Sequence, residues 1–322
     1  MGRRFNILCL ALMLGVLAPS ICMGQAGATK IVLGFPPGTS LDAMTRMLAN
    51  GIASTLNQTV VVENRAGDAA RIATEYVKNA APDGKTLLMT PFAPMVINPH
   101  LYAKLRYDPV GDFTPIAHVG SFDFAFAAGA HVPAKNLRDY IDAVKRDVKY
   151  GQYSTGGTGS LPHFLTLVLA RDAGLSMSHV SYKGTAPALN DLMGGHIAAF
   201  MGTVADVRPL HLSGKIRALA TSGANRSAAL PDVPTFKESG FDNLVGGGWY
   251  GLYAPAKTPA PVVERISSAA MQFLRDPGVR SKLDAMGIEA TGLAPSALAA
   301  SQKADSAKWS PVIRASGLKI DD

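Results

Sequence analysis

The chain has 322 residues, 48% of them hydrophobic and 17% charged, with a formal net charge of +7. Past the first residues no apolar run is long enough to cross a bilayer as a helix, and the lysines and arginines are scattered without interleaved aromatics, which argues against nucleic acid as a partner. Both cysteines, Cys9 and Cys22, lie near the start; the rest therefore offers no disulfide framework, thiol nucleophile or cysteine metal cluster, and reads as a soluble globular chain held by its core.

Met1 to Arg4 carries two arginines, Phe5 to Ala18 is apolar but short, and Gly24, Ala26 and Ala28 are small. This pattern predicts a signal peptide over residues 1–28, cleaved after Ala26 or Ala28. Pro19, Ser20 and Ile21 ahead of Cys22 make a poor lipidation site, and the short apolar stretch argues against a retained anchor. Losing Arg3 and Arg4 leaves a charge of +5, which either favours anionic small molecules or is merely a basic surface.

The stretch Lys30 to Leu56 organises the rest of the chain. Ile31, Val32 and Leu33 read as a strand buried on both faces. After Phe35 a turn of prolines, glycine and hydroxyls leads into Leu41, Met44, Leu48, Ile52 and Leu56, spaced for one helix face. Thr39 and Asp42 have capping-box spacing, so a helix is expected from Leu41 with its first amides aimed back into the turn. Those amides and the positive end of the helix dipole suit a carboxylate or phosphate. The turn lacks both GxGxxG and a Walker lysine, so it is either a ligand site or an ordinary strand-to-helix connection.

Val60 to Glu63 is the next predicted strand, followed by a turn at Asn64 to Gly67, a helix through Ile72, Tyr76 and Val77, and a strand at Thr86 to Thr90. Prolines at 91, 94 and 99 exclude a long helix before Tyr102. Ile116 to Phe126 is apolar enough to cross a sheet or pass between domains. Strands alternating with helices at this spacing predict an α/β protein with a mainly parallel sheet.

A second unit begins near Gly129. A helix over Asn136 to Arg146 precedes Tyr150 to Ser160, a run of glycines and hydroxyls, and then a helix from Leu161 to Asp172. Further elements are a strand at His179–Tyr182, a helix at Ala186–Met193, a strand at Ala198–Met201, a helix at Val204–Ser213 and a strand at Ile216–Thr221. This second loop copies the opening motif. Facing each other across two lobes, the two loops would clamp a ligand with two sets of amides; the alternative is that each glycine run only lets helix pack on strand.

Gly246 to Gly248 and the apolar run Trp249 to Pro255 read as a return crossing, so hinge closure is the expected motion. Helices are predicted at Pro261–Leu274, Val279–Met286 and Ala297–Ile313, the last kinked or interrupted by Pro311.

GFPPGTSLDAMTRMLA, VVENRAG, APDGKTLLM, INPHLY, YSTGGTGS, SYKGTAPALNDLMGGHI, GKIRALATSGANRS, LPDVPTFKESGF and WYGLYAPAKTPAPVVERI run in this order from Lys30 to Ile313. Together they resemble the Bug family, extracytoplasmic solute receptors of tripartite tricarboxylate transporters. The resemblance implies a type II periplasmic binding protein fold, two α/β lobes joined by two hinge strands with a ligand cleft between them. Lobe 1 would comprise 29–127 plus 250–322 and lobe 2 residues 128–249. It implies a small carboxylate ligand (dicarboxylate, tricarboxylate, acidic amino acid or aromatic acid), a periplasmic location and no cofactor or metal. Membrane permease subunits would be the partner; a sensor kinase reading the same closed state is the alternative.

Carried onto this chain, the family's ligand residues correspond to Phe35, Pro37, Gly38, Thr39, Ser40 and Asp42 in the first loop and to Thr155, Gly156, Thr158, Gly159 and Ser160 in the second. Phe92, Ala93 and Thr203 would lie close to the ligand. Where the family has a glycine-rich run this chain reads Ala66 to Arg71. Arg71 is therefore expected either to face the cleft and pair with a distal acid or to sit solvated on a helix. An acid usual after Met201 is Gly202 here, which removes a group that would repel an anion or select an amine.

An enzyme is disfavoured, because GxSxG, HExxH and CxxC are absent and the seven histidines are dispersed. His163, the one beside the second loop, reads as a packing or capping residue more than as a general base.

Overall fold

The computed structural model describes residues 28–182 and 184–320. All of the predicted signal peptide but Ala28 lies outside them.

Eleven strands are described: β1 (Thr29–Leu33), β2 (Val60–Asn64), β3 (Thr86–Pro91), β4 (Phe113–Phe122), β5 (Phe124–Gly129), β6 (Gln152–Thr155), β7 (Ser178–His179), β8 (Ala199–Thr203), β9 (Ile216–Thr221), β10 (Gly248–Pro255) and β11 (Glu289–Leu293). They form two sheets, ordered β11-β4-β10-β3-β1-β2 and β7-β6-β8-β5-β9. The chain leaves the first sheet after Phe122, enters the second at Phe124, and returns at Gly248. The apolar run around Asp123 is thus two strands in different sheets.

The sheets are mixed, which corrects the mainly parallel expectation. β1 pairs parallel with β2 and β3, and β6 with β7 and β8. The crossing strands run the other way, β10 against β3 and β4, and β5 against β8 and β9. A strand arriving from the other sheet needs no right-handed crossover helix, so nothing forces it parallel.

β1 shows why its run is apolar. Ile31 and Leu33 pack with Leu87, Met89 and the helix Ser40–Leu56 on one face, while Val32 joins Leu88 in a core on the other. The second core continues through Phe92, Trp249 and Trp309 to Phe126, Tyr153 and Phe164, so one apolar body spans both sheets. Leu41, Met44, Leu48 and Ile52 are 0–6% exposed; each such side chain removed from water contributes about 1.5–3 kcal/mol.

Three elements depart from the sequence reading. The strand expected to run to Tyr182 ends at His179, and β11 is unannounced, because its buried positions are the small Ala290 and Gly292 while its one large apolar side chain, Leu293, is exposed. Pro311 neither ends nor interrupts the last helix, which runs Pro295–Ala315. One carbonyl loses its amide partner there, but Trp309 and Ile313 are buried at 1% and 0% exposure and hold both sides.

Candidate ligand site

The turn after β1 is built by one carboxylate. Asp42 Oδ2 accepts the Gly38 amide at 3.0 Å and Arg46 Nε at 3.0 Å, and Oδ1 accepts Asn64 Nδ2 at 2.9 Å. Asn64 also donates to the Phe35 carbonyl at 3.0 Å. Burial alone would raise the Asp42 carboxyl, but the bonds from Arg46, Gly38 and Asn64 outweigh it and hold it at about 2. Thr39 caps the helix by accepting the Asp42 amide at 3.1 Å, and the helix begins at Ser40, one residue ahead of expectation. The capping box is incomplete because the Asp42 carboxylate is spent on Gly38. Among the described residues, the amides of Ser40 and Leu41 make no hydrogen bond.

Those two residues face a cavity of about 360 Å³ at the junction of the sheets. The first sheet contributes Phe35, Thr39, Ser40, Leu41, Pro91, Phe122 and Tyr250, and the second contributes Thr203, Ala205 and Asp206. Phe122 and Tyr250, from the two crossings, stack with centroids 4.6 Å apart. Met286, Gly287 and Ile288 close one side. A Cβ on Gly287 would stand 3.1 Å from that of Ala205, and φ there is +73°, so glycine is what lets this turn touch the opposite wall.

The second loop stands elsewhere. Register places Thr155 opposite Met201, so the loop starts at the same sheet edge as Thr203, but none of Thr155, Gly156, Thr158, Gly159 or Ser160 lines this cavity. Two histidines shape it. Gly159 donates its amide to His163 Nδ1 at 3.0 Å, and His179 Nε2 lies 3.1 Å from the Thr155 hydroxyl. The two imidazoles stack at 4.2 Å. Gly159 seats the loop against the first sheet's side: a Cβ there would come 2.7 Å from Leu101 Cδ2, at φ +76°.

Of the sequence-predicted residues, the cavity thus gathers Phe35, Thr39, Ser40 and Thr203. Pro37 and Gly38 are exposed at the tip of the turn and Asp42 is buried behind it. Phe92 is 4% exposed and packs edge-on against Trp249, Ala93 is half-buried, and it is their neighbour Pro91 that reaches the wall.

Arg71 corrects the solvated reading. It is 8% exposed, with its guanidinium 4.0 Å over the Tyr102 ring. The turn ahead of it holds Ala69 and Ala70 at φ +48° and +67°, and a Cβ on Gly34 would fall 2.4 Å from that of Ala70, so this turn packs directly on the first loop.

Sequence reasoning missed Asp206, an acid that lines the cavity four residues past Gly202. Its Oδ2 accepts the Thr203 hydroxyl at 2.7 Å and the Thr203 amide at 3.3 Å, completing a capping box for the helix Val204–Leu212. Burial raises its carboxyl above the usual range. Helical periodicity placed it in a first turn; only the meeting of the two sheets places it in a cavity. No group of three His, Cys, Asp or Glu among the described residues could hold a metal ion.

Two sheets, two crossings and a cavity walled from both sides define a two-lobed solute-binding protein. The chain matches the family model described as tripartite tricarboxylate transporter family receptor over residues 44–318, and it belongs to that family, the Bug receptors. These are periplasmic solute-binding receptors and not enzymes. The chain is 29% identical over 308 residues to protein BugT of Bordetella pertussis, covering 95% of this chain and 94% of that one. Periplasmic binding protein BugD superposes with a TM-score of 0.78 at 31% identity, covering 92% of this chain and 99% of BugD. MatC of Rhodopseudomonas palustris with bound malate gives 0.77 at 29% identity, covering 89% and 98%. No helix among the described residues is long and apolar enough to cross a membrane.

Proposed function

We propose that this protein is exported, loses its leader near Ala26 or Ala28, captures a small carboxylate and delivers it to the membrane subunits of a tripartite tricarboxylate-type transporter. The carrying observation is the pair of unbonded amides, Ser40 and Leu41, at the N-terminus of a 17-residue helix and opening on a cavity shared by both sheets. A carboxylate there gains two charge-assisted hydrogen bonds and the favourable end of the helix dipole. Thr39 and Thr203 add hydroxyls, and the second loop, with the free first amides of the helix Leu161–Ala173, closes on the ligand from the other side. The motion is a hinge at Asp123 and at Val245 to Gly247, and the closed form is the signal read by the membrane subunits. Malate bound to MatC supports a carboxylate.

The test is a thermal-shift screen of mono-, di- and tricarboxylates. A ligand that binds only the folded chain raises the melting point, by an amount that grows with concentration. A panel in which no carboxylate moves it overturns the reading.

A further inference from the structure

The cavity has a chemistry that an ordinary dicarboxylate does not complement. Its anion-binding end is the Ser40 and Leu41 amides. Away from that end its wall carries one charged group, the Asp206 carboxylate, and among the described residues that line it there is no lysine, arginine or histidine. Asp206 Oδ2 is taken by Thr203, whereas Oδ1 makes no hydrogen bond to any described residue. The carboxylate also sits close enough to Tyr250 to help raise that phenol, behind the larger effect of burial. The remaining wall is aromatic and aliphatic: Phe35, the stacked pair Phe122 and Tyr250, Pro91 and Ile288.

A second carboxylate in this space would meet a like charge and no cation, in surroundings drier than bulk water where repulsion is strengthened. A cationic nitrogen would meet the reverse. It would pair with the free Oδ1 and gain the attraction of the ring quadrupoles. The cavity volume, about 360 Å³, lies at the lower end of small-molecule sites, roughly 300–1,000 Å³.

Resting on the carboxylate reading above, we infer that the solute is a zwitterion: its carboxylate sits on the Ser40 and Leu41 amides, and its cationic nitrogen lies between Asp206 and the Phe35, Phe122 and Tyr250 rings. Asp206 is then the residue that sets specificity.

The experiment is calorimetry on the mature chain with three probes: glycine betaine, its carbon isostere tert-butylacetate, in which a quaternary carbon replaces the nitrogen, and malate. Glycine betaine is expected to bind at least about tenfold tighter than tert-butylacetate and than malate. In Asp206→Asn, which keeps an oxygen to accept from Thr203, the betaine advantage over tert-butylacetate is expected to fall to about threefold or less; an unchanged urea-unfolding midpoint certifies the fold. Equal binding of the two isosteres to the wild-type chain overturns the inference, as does malate binding tightest or an Asp206→Asn chain that discriminates as before. In those cases a bound carboxylate leaves the receptor reading intact. Silence from all three, together with a silent carboxylate screen, removes both.

Discussion

Asp42 accepts the amide hydrogen of Gly38 at 3.0 Å, four residues back along the chain and outside the helix that Asp42 belongs to. That bond turns the tip of the first loop toward the helix start, and Arg46 and Asn64 lock the same carboxylate from two further directions. Replacing Asp42 by Ala removes the acceptor of the Gly38 amide and of one Asn64 amide hydrogen, the other staying on the Phe35 carbonyl. The loss expected is about 1.5–3 kcal/mol of stability, the usual contribution of hydrogen bonds to a charged acceptor, since the exposed Gly38 amide can turn to water. Urea unfolding of the wild-type and Asp42→Ala chains measures it; a midpoint that does not move would mean the loop is held by its prolines instead.

The turn that supports this loop carries a cost that can be relieved. Ala69 is exposed and sits at φ +48°, ψ +41°, a conformation that costs an L-residue roughly 1–2 kcal/mol and glycine little. Ala69→Gly is expected to stabilise the protein by about 0.5–1 kcal/mol, the relief being partly offset by the freer unfolded chain. Ala70, also left-handed, is 2% exposed and packs on Gly34, so Ala70→Gly should gain less. A destabilised Ala69→Gly chain in thermal melts would show that the alanine contributes more by contact than it costs in strain.

The helix faces were legible because each is decided by neighbours three and four residues away: Leu41, Met44, Leu48 and Ile52 are buried as their spacing required. The first loop was legible for a related reason, since Thr39, Ser40 and the helix dipole are local. What the sequence hid depends on segments far apart. Arg71 is buried by Tyr102, thirty-one positions on, and no helical pattern carries that information. Phe122 and Tyr250 were visible as parts of crossings, yet their stacking into one wall needs β4 and β10 to be neighbours. Asp206 was read as part of a helix, which it is, and its place in the cavity comes from the other sheet.

The histidines behind the second loop make stability depend on pH in a definite direction. Burial first, and the neighbouring His179 second, lower the His163 imidazole to about 4 from an ordinary 6.5. Because Gly159 donates to Nδ1, the neutral ring carries its proton on Nε2. Between pH 6.5 and about 4 the unfolded chain binds a proton at this position that the folded chain refuses, so stability falls as pH falls, by up to about 1.4 kcal/mol per unit, and levels off below. His163→Asn keeps an acceptor for Gly159 and removes the titration. It is expected to be less stable at neutral pH through lost packing but to show a shallower decline on acidification. His118, lowered by burial to about 4 as well, keeps some of the slope in both chains. Parallel slopes for the two proteins in urea unfolding between pH 7 and 4 would remove His163 as the cause.

The role given to the Ser40 amide can be tested by deleting that one hydrogen. Ser40 is the first helical residue, a position where proline is well accommodated because the ring fixes a helical φ and the missing amide had no partner inside the helix. Thr39, which would precede the new proline, already has φ −77° and ψ 160°, the extended conformation that a residue before proline prefers. Ser40→Pro should therefore leave the fold and its unfolding midpoint nearly as they are, within about 0.5 kcal/mol, while removing a donor from whatever anion sits at the helix start. With a solute identified by thermal shift, affinity is expected to fall roughly 10- to 100-fold, the equivalent of about 1.5–3 kcal/mol for one hydrogen bond to a charged group. Ser40→Ala, which deletes the hydroxyl and keeps the amide, should fall by much less. If calorimetry finds the two variants equally weakened, the hydroxyl is the contact and the main-chain donor is not; if neither weakens, the ligand does not sit at this helix end at all.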